Sequence, residues 1–147
     1  MLKVYLAAPF FNEEQRRTCA AIEGALEPIC DLYSPRKDGV LTEMKTPEER
    51  RRAAPKIFNK NVEKLDWADL VVAVIDDRDA GVMFYFFFND TATTEIYTFT
   101  ANNYGVNLMI QGAAKAHCKT VEGLADLISS GLDEDTLEKY PTAEATS

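Results

Sequence analysis

The stretch Leu70-Val71-Val72-Ala73-Val74-Ile75-Asp76-Asp77-Arg78-Asp79-Ala80-Gly81 decides the fold. Its first six residues are apolar and rich in valine, which is typical of a strand buried on both faces in a parallel sheet. The acidic residues therefore fall at the carboxyl end of that strand, where open α/β sheets bind their ligands. Gly81 permits a tight turn there. The sequence thus predicts a carboxylate cluster at the mouth of a candidate site.

Strands and helices alternate on either side of this stretch. Further strands are predicted at residues 3–8, 31–33 and 96–100, with a last short strand within 117–120. A helix is predicted over residues 13–26, with Asn12 as its N-cap. Thr46, Pro47 and Glu49 form the capping pattern of a second helix, which we expect to be interrupted near Pro55. It should resume over residues 56–65, with four side chains facing inward: Ile57, Phe58, Val62 and Leu65.

Composition restricts the class of protein and of partner. The length of 147 residues suits one domain, expected over residues 1–140, followed by a disordered tail at 141–147. A net charge of −8 argues against a nucleic-acid polymer as partner but not against a small nucleoside. There is no long apolar run and no signal peptide, so we expect no membrane association.

Cysteine and histidine usage argues for a reduced, metal-free protein. Cys19, Cys30 and Cys118 are odd in number and widely spaced, which favours free thiols and a cytoplasmic location. His117 is the only histidine, so a histidine metal site is not expected and we interpret this residue as structural. The sequence predicts no cofactor.

Two loops at strand ends carry further candidate side chains. Phe10 and Phe11 follow the first strand, and they can either stack on a planar ligand or cap the core. Arg36 and Asp38 follow the second strand. Their loop can contribute polar groups to a site at the strand ends, or it can be an ordinary solvated turn. The residues alone leave both alternatives open in each loop.

Four segments together resemble the nucleoside 2-deoxyribosyltransferase family, within residues 3–127. They are Tyr5-Leu6-Ala7-Ala8-Pro9-Phe10-Phe11, Trp67-Ala68-Asp69-Leu70-Val71-Val72-Ala73-Val74-Ile75-Asp76, Asp79-Ala80-Gly81 and Asn103-Tyr104-Gly105-Val106-Asn107-Leu108-Met109. The resemblance implies an α/β fold, a flavodoxin-like doubly wound five-stranded parallel sheet with helices on both faces. It implies a homo-oligomer with sites shared between subunits. It also implies exchange of the base of 2′-deoxyribonucleosides through a covalent sugar–enzyme intermediate, with deoxynucleosides and free bases as partners.

The resemblance also implies roles for individual residues. Asp79 would be the acidic residue near the base or its proton. Asn61 stands where many members have an aspartate, and Asn107 would bond a sugar hydroxyl in a neighbouring subunit's site. The remaining substrate-binding residues that the resemblance implies are Tyr5, Phe10 and Phe11 in the base pocket, Arg36 and Asp38 at the base or its lid, Asp76, and Met109 at the neighbouring site.

The chain departs from the family pattern over residues 85–97. The family has its nucleophilic glutamate at the position of Tyr85, and Glu95 falls too late in the chain to replace it. The run from Met83 to Phe88 is aromatic where a helix is needed, so local propensity and global pattern conflict. Residues 86–98 also resemble the translation of a sequencing-adapter read. We hypothesise that this part is an assembly artefact within a transferase gene.

Three functions remain open at this point. The first is deoxyribosyl transfer, with activity reduced by Tyr85. The second is hydrolysis of the N-glycosidic bond of deoxynucleosides, which would use the same fold and carboxylates. The third is nucleoside binding without catalysis, which Tyr85 favours.

Overall fold

A computed structural model describes residues 1–38, 46–76, 95–99 and 114–141. Five strands form one parallel sheet in the order β2-β1-β3-β4-β5. The strands are β1 (Lys3–Ala7), β2 (Asp31–Tyr33), β3 (Leu70–Val74), β4 (Glu95–Phe99) and β5 (Ala116–Cys118). This is the flavodoxin-like order of doubly wound α/β proteins. The predicted fold class is confirmed.

Helices follow the strands, and the first two begin where the capping residues predict. They are α1 (Glu13–Leu26), α2 (Pro47–Trp67), α3 (Val121–Ser129) and α4 (Glu134–Leu137), and a 3-10 turn spans Pro35–Asp38. The Asn12 side chain accepts a hydrogen bond from the Gln15 backbone N–H (2.8 Å) and the Gln15 side chain accepts from that of Asn12. A second capping box joins Thr46 and Glu49 at the start of α2. Both caps satisfy backbone donors that the first turn of a helix leaves unpaired.

Alternation along the strands divides the core between the two faces of the sheet. On one face, Val72 and its neighbours pack with Ile22 and Leu26 of α1 and with Leu124 and Leu127 of α3. The other face carries a second apolar cluster that includes Leu65 at the end of α2: Tyr5, Ala7, Val71, Ala73, Ile75 and Ile96 also belong to it. Helices therefore cover both faces in the described part of the chain, as the doubly wound fold requires.

Two expectations about α2 are wrong. The helix runs unbroken from Pro47 to Trp67 with Pro55 inside it. Proline removes one N–H from the helical ladder, but Arg51 and Pro55 are both exposed, so water can satisfy the carbonyl that loses its partner. Phe58, expected to face inward, is 52% exposed. Leu65 is buried as expected, while Ile57 and Val62 are partly buried.

Several expectations fall outside the described residues. These are the aromatic run at residues 83–88 and the tail after Pro141. The stretch that departs from the family pattern ends within β4, which spans Glu95–Phe99 and lies between β3 and β5. Alternation in that segment predicted the strand, and the structure confirms it.

Candidate functional site

The carboxyl ends of β1 and β3 form the topological switch point of the sheet. The chain leaves β1 for β2 on one side and later enters β3 on the other, so a crevice opens between the two strand ends. A cavity of about 20 Å³ lies there, enough for roughly one water molecule. Pro9, Gln15 and Cys19 line it from the β1 side, and Asp76, which is buried, lines it from the β3 side. The structure therefore places Asp76 at the switch point.

An aromatic pair stands beside this crevice. The Phe10 and Phe11 rings stack with centroids 5.7 Å apart, and Phe11 is 71% exposed. The backbone of the pair is fixed, since the Gln15 Oε1 accepts a bond from the Phe11 N–H (2.8 Å) and Arg16 Nη1 donates to the Phe10 carbonyl (3.4 Å). At this exposure Phe11 does not cap the core, and its ring is accessible from solvent.

A larger cavity, about 200 Å³ in volume, opens between the 3-10 turn and α2. Its lining combines apolar walls with a few polar groups, which is typical of small-molecule sites. The lining residues are Tyr33, Pro35, Asp38, Lys56, Ile57, Lys60 and Asn61. Asp38 and Asn61, predicted separately as substrate-binding residues, are thus brought to one cavity from elements more than twenty positions apart.

Asp38 is held in place from two sides. Lys60 Nζ lies 2.7 Å from both of its carboxylate oxygens, and the Tyr33 hydroxyl donates to Oδ2 at 3.4 Å. The Tyr33 ring in turn lies 5.5 Å from the ring of Tyr5 at a tilt of 40°. Tyr5 is fully buried and is not among the cavity-lining residues. It therefore contacts a ring that lines the cavity instead of lining it itself.

Arg36 points to α1 and not to the cavity. Its guanidinium donates to the carboxylate of Glu23 through Nε (3.0 Å) and through Nη2, and the Ser34 hydroxyl donates to the same carboxylate at 2.6 Å. The bond to Glu23 raises the pKa of Arg36, although partial burial opposes this. The structure thus gives Arg36 an intramolecular partner where the resemblance implies contact with the base or its lid.

His117 lies on β5, the edge strand next to β4. It is buried, and its Nδ1 is 2.7 Å from the hydroxyl of Thr98 on β4. Burial lowers the pKa of His117, Lys119 lowers it further, and Asp76 partly opposes both. The imidazole is therefore neutral near pH 7 and serves as a hydrogen-bonding core residue, in line with the structural interpretation.

Some predicted site residues lie outside the described part of the chain. They are Asp79, Tyr85, Asn107 and Met109. Within the described ranges, no three His, Cys, Asp or Glu side chains are grouped so that they could bind a metal ion. Within the same ranges, no helix combines the length and the apolar character that crossing a membrane demands.

Sequence reasoning missed two charged residues that shape the site, Glu23 and Lys60. Glu23 had a detectable signal, because it shares the inward helical face of α1 with Cys19 and Leu26, at spacings of four and three. An acid on such a face needs a buried partner. Lys60 had no comparable signal, because its partner Asp38 is distant in sequence.

The fold and the site geometry can now be compared with known proteins. A family model described as nucleoside 2-deoxyribosyltransferase matches residues 4–113. The chain belongs to this family. No curated protein sequence matches the chain.

Two solved structures are similar to this family member over nearly the whole chain. The 2-deoxyribosyltransferase of the psychrotolerant bacterium Bacillus psychrosaccharolyticus is 26% identical, with a TM-score of 0.74 over 97% of this chain and 98% of that chain. A conserved protein from Enterococcus faecalis V583 is 18% identical, with a TM-score of 0.63 over 90% of this chain and 99% of that chain. The second likeness concerns the fold alone.

Proposed function

We propose that this deoxyribosyltransferase family member binds 2′-deoxyribonucleosides and free bases and exchanges the base through a covalent deoxyribosyl–enzyme intermediate. We propose further that the exchange is slow because Tyr85 occupies the nucleophile position. The observation that carries the binding part is the cavity of about 200 Å³ where Asp38 and Asn61 meet, in a chain that the family model matches. A cavity of this size accommodates a nucleobase-sized ring system.

The chemistry follows from the bond that breaks. Cleavage of an N-glycosidic bond leaves positive charge on the sugar, which a carboxylate can trap covalently while an acid protonates the departing base. In our proposal Asp79 is the acidic residue near the base or its proton. A carboxylate at position 85 would carry the charge and the electron pair needed for attack. Tyr85 offers a phenol instead, and a phenol is ordinarily protonated at neutral pH. Losing a nucleophile of this kind costs a factor on the order of 10⁴ or more in rate.

The decisive experiment separates the three candidate functions. The chain is incubated with 2′-deoxyinosine and adenine, and 2′-deoxyadenosine, hypoxanthine and free deoxyribose are followed by chromatography. Measurable nucleoside binding with very slow formation of 2′-deoxyadenosine is the expected result. Release of free deoxyribose would instead identify an N-glycoside hydrolase, and lack of binding would contradict the proposal altogether.

A matched pair of variants tests the assignment of Tyr85. A chain with glutamate at position 85 and a family-like helix between that position and β4 should exchange bases on the order of 10⁴-fold faster. The same chain with glutamine at position 85 is the control and should stay slow. Equal rates for the two would refute the assignment. Tyr85→Glu alone is a weaker test because residues 86–97 also depart from the family.

The proposal includes a cytoplasmic homo-oligomer in which Asn107 and Met109 complete a neighbouring subunit's site. Phe11 and Phe58 support it, because they are large apolar side chains that are 71% and 52% exposed. Covering these side chains with a neighbouring subunit would remove apolar area from water, which favours association. Light scattering coupled to size-exclusion chromatography measures the assembly directly, and a monomer at every concentration would contradict this part.

A further inference from the structure

We propose that Glu23 is a positioning residue for the nucleoside site. Through Ser34 and Arg36 it fixes the 3-10 turn that presents Asp38 to the larger cavity, an inference that rests on the proposed function. Glu23 lies on α1 and is not among the residues that line the larger cavity, so it does not touch a ligand there.

The contacts of Glu23 converge on one short segment. Its side chain is 3% exposed, and its carboxylate accepts bonds from the Ser34 hydroxyl (2.6 Å), from Arg36 Nε (3.0 Å) and from Arg36 Nη2. A two-pronged bond between a guanidinium and a carboxylate fixes orientation as well as distance. The start of the turn is therefore fixed in direction relative to α1.

The charge of Glu23 is not needed for packing α1. Its neighbours on the inner face, Cys19, Ile22 and Leu26, are apolar, and an apolar residue would fill the position without desolvating a carboxylate. Removing water from a carboxylate is unfavourable unless its bonds are complete. What the carboxylate provides that an apolar side chain cannot is the fixed turn.

The far end of the turn is held from the opposite side. A 3-10 helix has about three residues per turn, so Arg36 and Asp38 point in different directions from the same backbone. Arg36 reaches α1, while Asp38 reaches Lys60 of α2 at 2.7 Å and lines the cavity. The position of Asp38 therefore depends on the Glu23 bonds and on the Lys60 pair together.

The same turn supplies a matched control. Lys37 forms an ion pair with Glu27, the C-cap residue of α1 four positions after Glu23, but both side chains of that pair are about half exposed. Exposed pairs contribute little because water and salt screen them. Glu23→Gln and Glu27→Gln therefore remove one carboxylate each from the same helix and the same turn, and they differ in burial.

Binding of 2′-deoxyinosine by titration calorimetry is the first readout. Glu23→Gln should weaken binding about tenfold, because the glutamine NH₂ is itself a donor and cannot accept a bond from Arg36. Glu27→Gln should change binding less than about twofold. Thr120→Ala, which removes the cap of the distant helix α3, controls for a general loss of stability and should bind like the unaltered chain. Equal binding by Glu23→Gln and the unaltered chain would overturn the inference.

A double variant distinguishes positioning from direct contact. If Glu23 acts through Arg36 and Ser34, then the double variant Glu23→Gln with Arg36→Met should bind no more weakly than Glu23→Gln alone, because the Arg36 bond is already lost in Glu23→Gln. If Arg36 bound the base itself, Arg36→Met would weaken binding while Glu23→Gln would not, and the inference would be refuted. Because two different single variants are measured, the test still gives a result if one of them fails to fold.

Hydrogen exchange makes the test independent of any ligand. The Lys37 N–H bonds the Ser34 carbonyl at 3.0 Å inside the turn, and its exchange should be about tenfold faster in Glu23→Gln than in Glu27→Gln. Equal exchange would refute the positioning role even if nucleoside binding proved absent. Absence of binding by the unaltered chain, with exchange still altered, would refute the proposed function alone.

Discussion

At the scale of single residues, His117 links stability to pH. Burial lowers its pKa from the ordinary value of 6.5, so the folded state resists a proton that the unfolded chain accepts. Where the unfolded state binds more protons, stability rises with pH. The free energy of unfolding should therefore fall as the pH drops below about 6.5, by at most about 1.4 kcal/mol per pH unit from this group.

The measurement compares urea unfolding at pH 7.5 and pH 5.5. His117→Asn keeps a polar atom near Thr98 but does not titrate, so its stability should change less between the two pH values. Because the chain has one histidine, no other imidazole confuses the comparison. An equal fall in both proteins would show that the effect belongs to carboxylates and not to His117.

Residue-level patterns predicted which side chains lie at strand ends, but not which partners hold them. The family resemblance implied that Asp38 touches the base or its lid, and in the structure Asp38 lines the larger cavity. Arg36 follows the same strand as Asp38, yet the Glu23 carboxylate holds it. A sequence pattern shows at which edge of the sheet a side chain lies. The direction in which that side chain points depends on partners that are distant in sequence.

At the scale of elements, two helical glycines provide a matched comparison. Gly24 in α1 has nothing within 4 Å of the place a Cβ would occupy, whereas a Cβ at Gly123 in α3 would lie 2.9 Å from a Tyr140 ring carbon and 3.0 Å from Thr120 Oγ1. Tyr140 also donates to Asp126 at 3.0 Å, and Thr120 caps α3. Alanine at Gly123 would displace a ring or a cap, while alanine at Gly24 would meet neither.

Gly24→Ala should therefore raise the free energy of unfolding by about 0.5–1 kcal/mol, because alanine is the better helix former. Gly123→Ala should lower it, and the two variants should differ by more than about 1 kcal/mol. Chemical denaturation with a constant m-value is the measurement. A Gly123→Ala protein as stable as Gly24→Ala would show that Tyr140 moves aside without cost.

Element boundaries were predicted well where a cap or an alternation was present. Asn12 and Thr46 marked the starts of α1 and α2, because a side-chain acceptor at that position satisfies free backbone donors. Pro55 was expected to break α2 and does not. The local rule counts the lost N–H bond, but Arg51 and Pro55 are both exposed, so water can satisfy the carbonyl that loses its partner.

At the scale of the whole molecule, the sequence predicted the parallel sheet because β3 is apolar on every residue. A strand of that kind needs helices on both faces, and the two core clusters on opposite faces fulfil the requirement. Composition and periodicity carry this information along the whole chain. The cavity between the 3-10 turn and α2 depends on how two separate elements meet, which no local pattern records.

The three buried cysteines give the molecule a surface without accessible thiols. Burial raises the pKa of Cys19 and Cys30 to about 11 and that of Cys118 to about 12. Thiolates are the reactive species, so at neutral pH these groups should react with a maleimide or an aromatic disulfide far more slowly than a free thiol. Titration with such a reagent should count almost no thiols in the folded protein and three after denaturation.

One cysteine introduced on the exposed face of α2, for instance at Asn59, should therefore take up a fluorophore alone, with all native cysteines in place. Asn59 neighbours Lys60, whose side chain lines the cavity, so a dye there would report on ligand entry. Rapid labelling of the unaltered chain would contradict this. The burial that makes the native thiols inert thus makes the protein suited to single-site optical reporting.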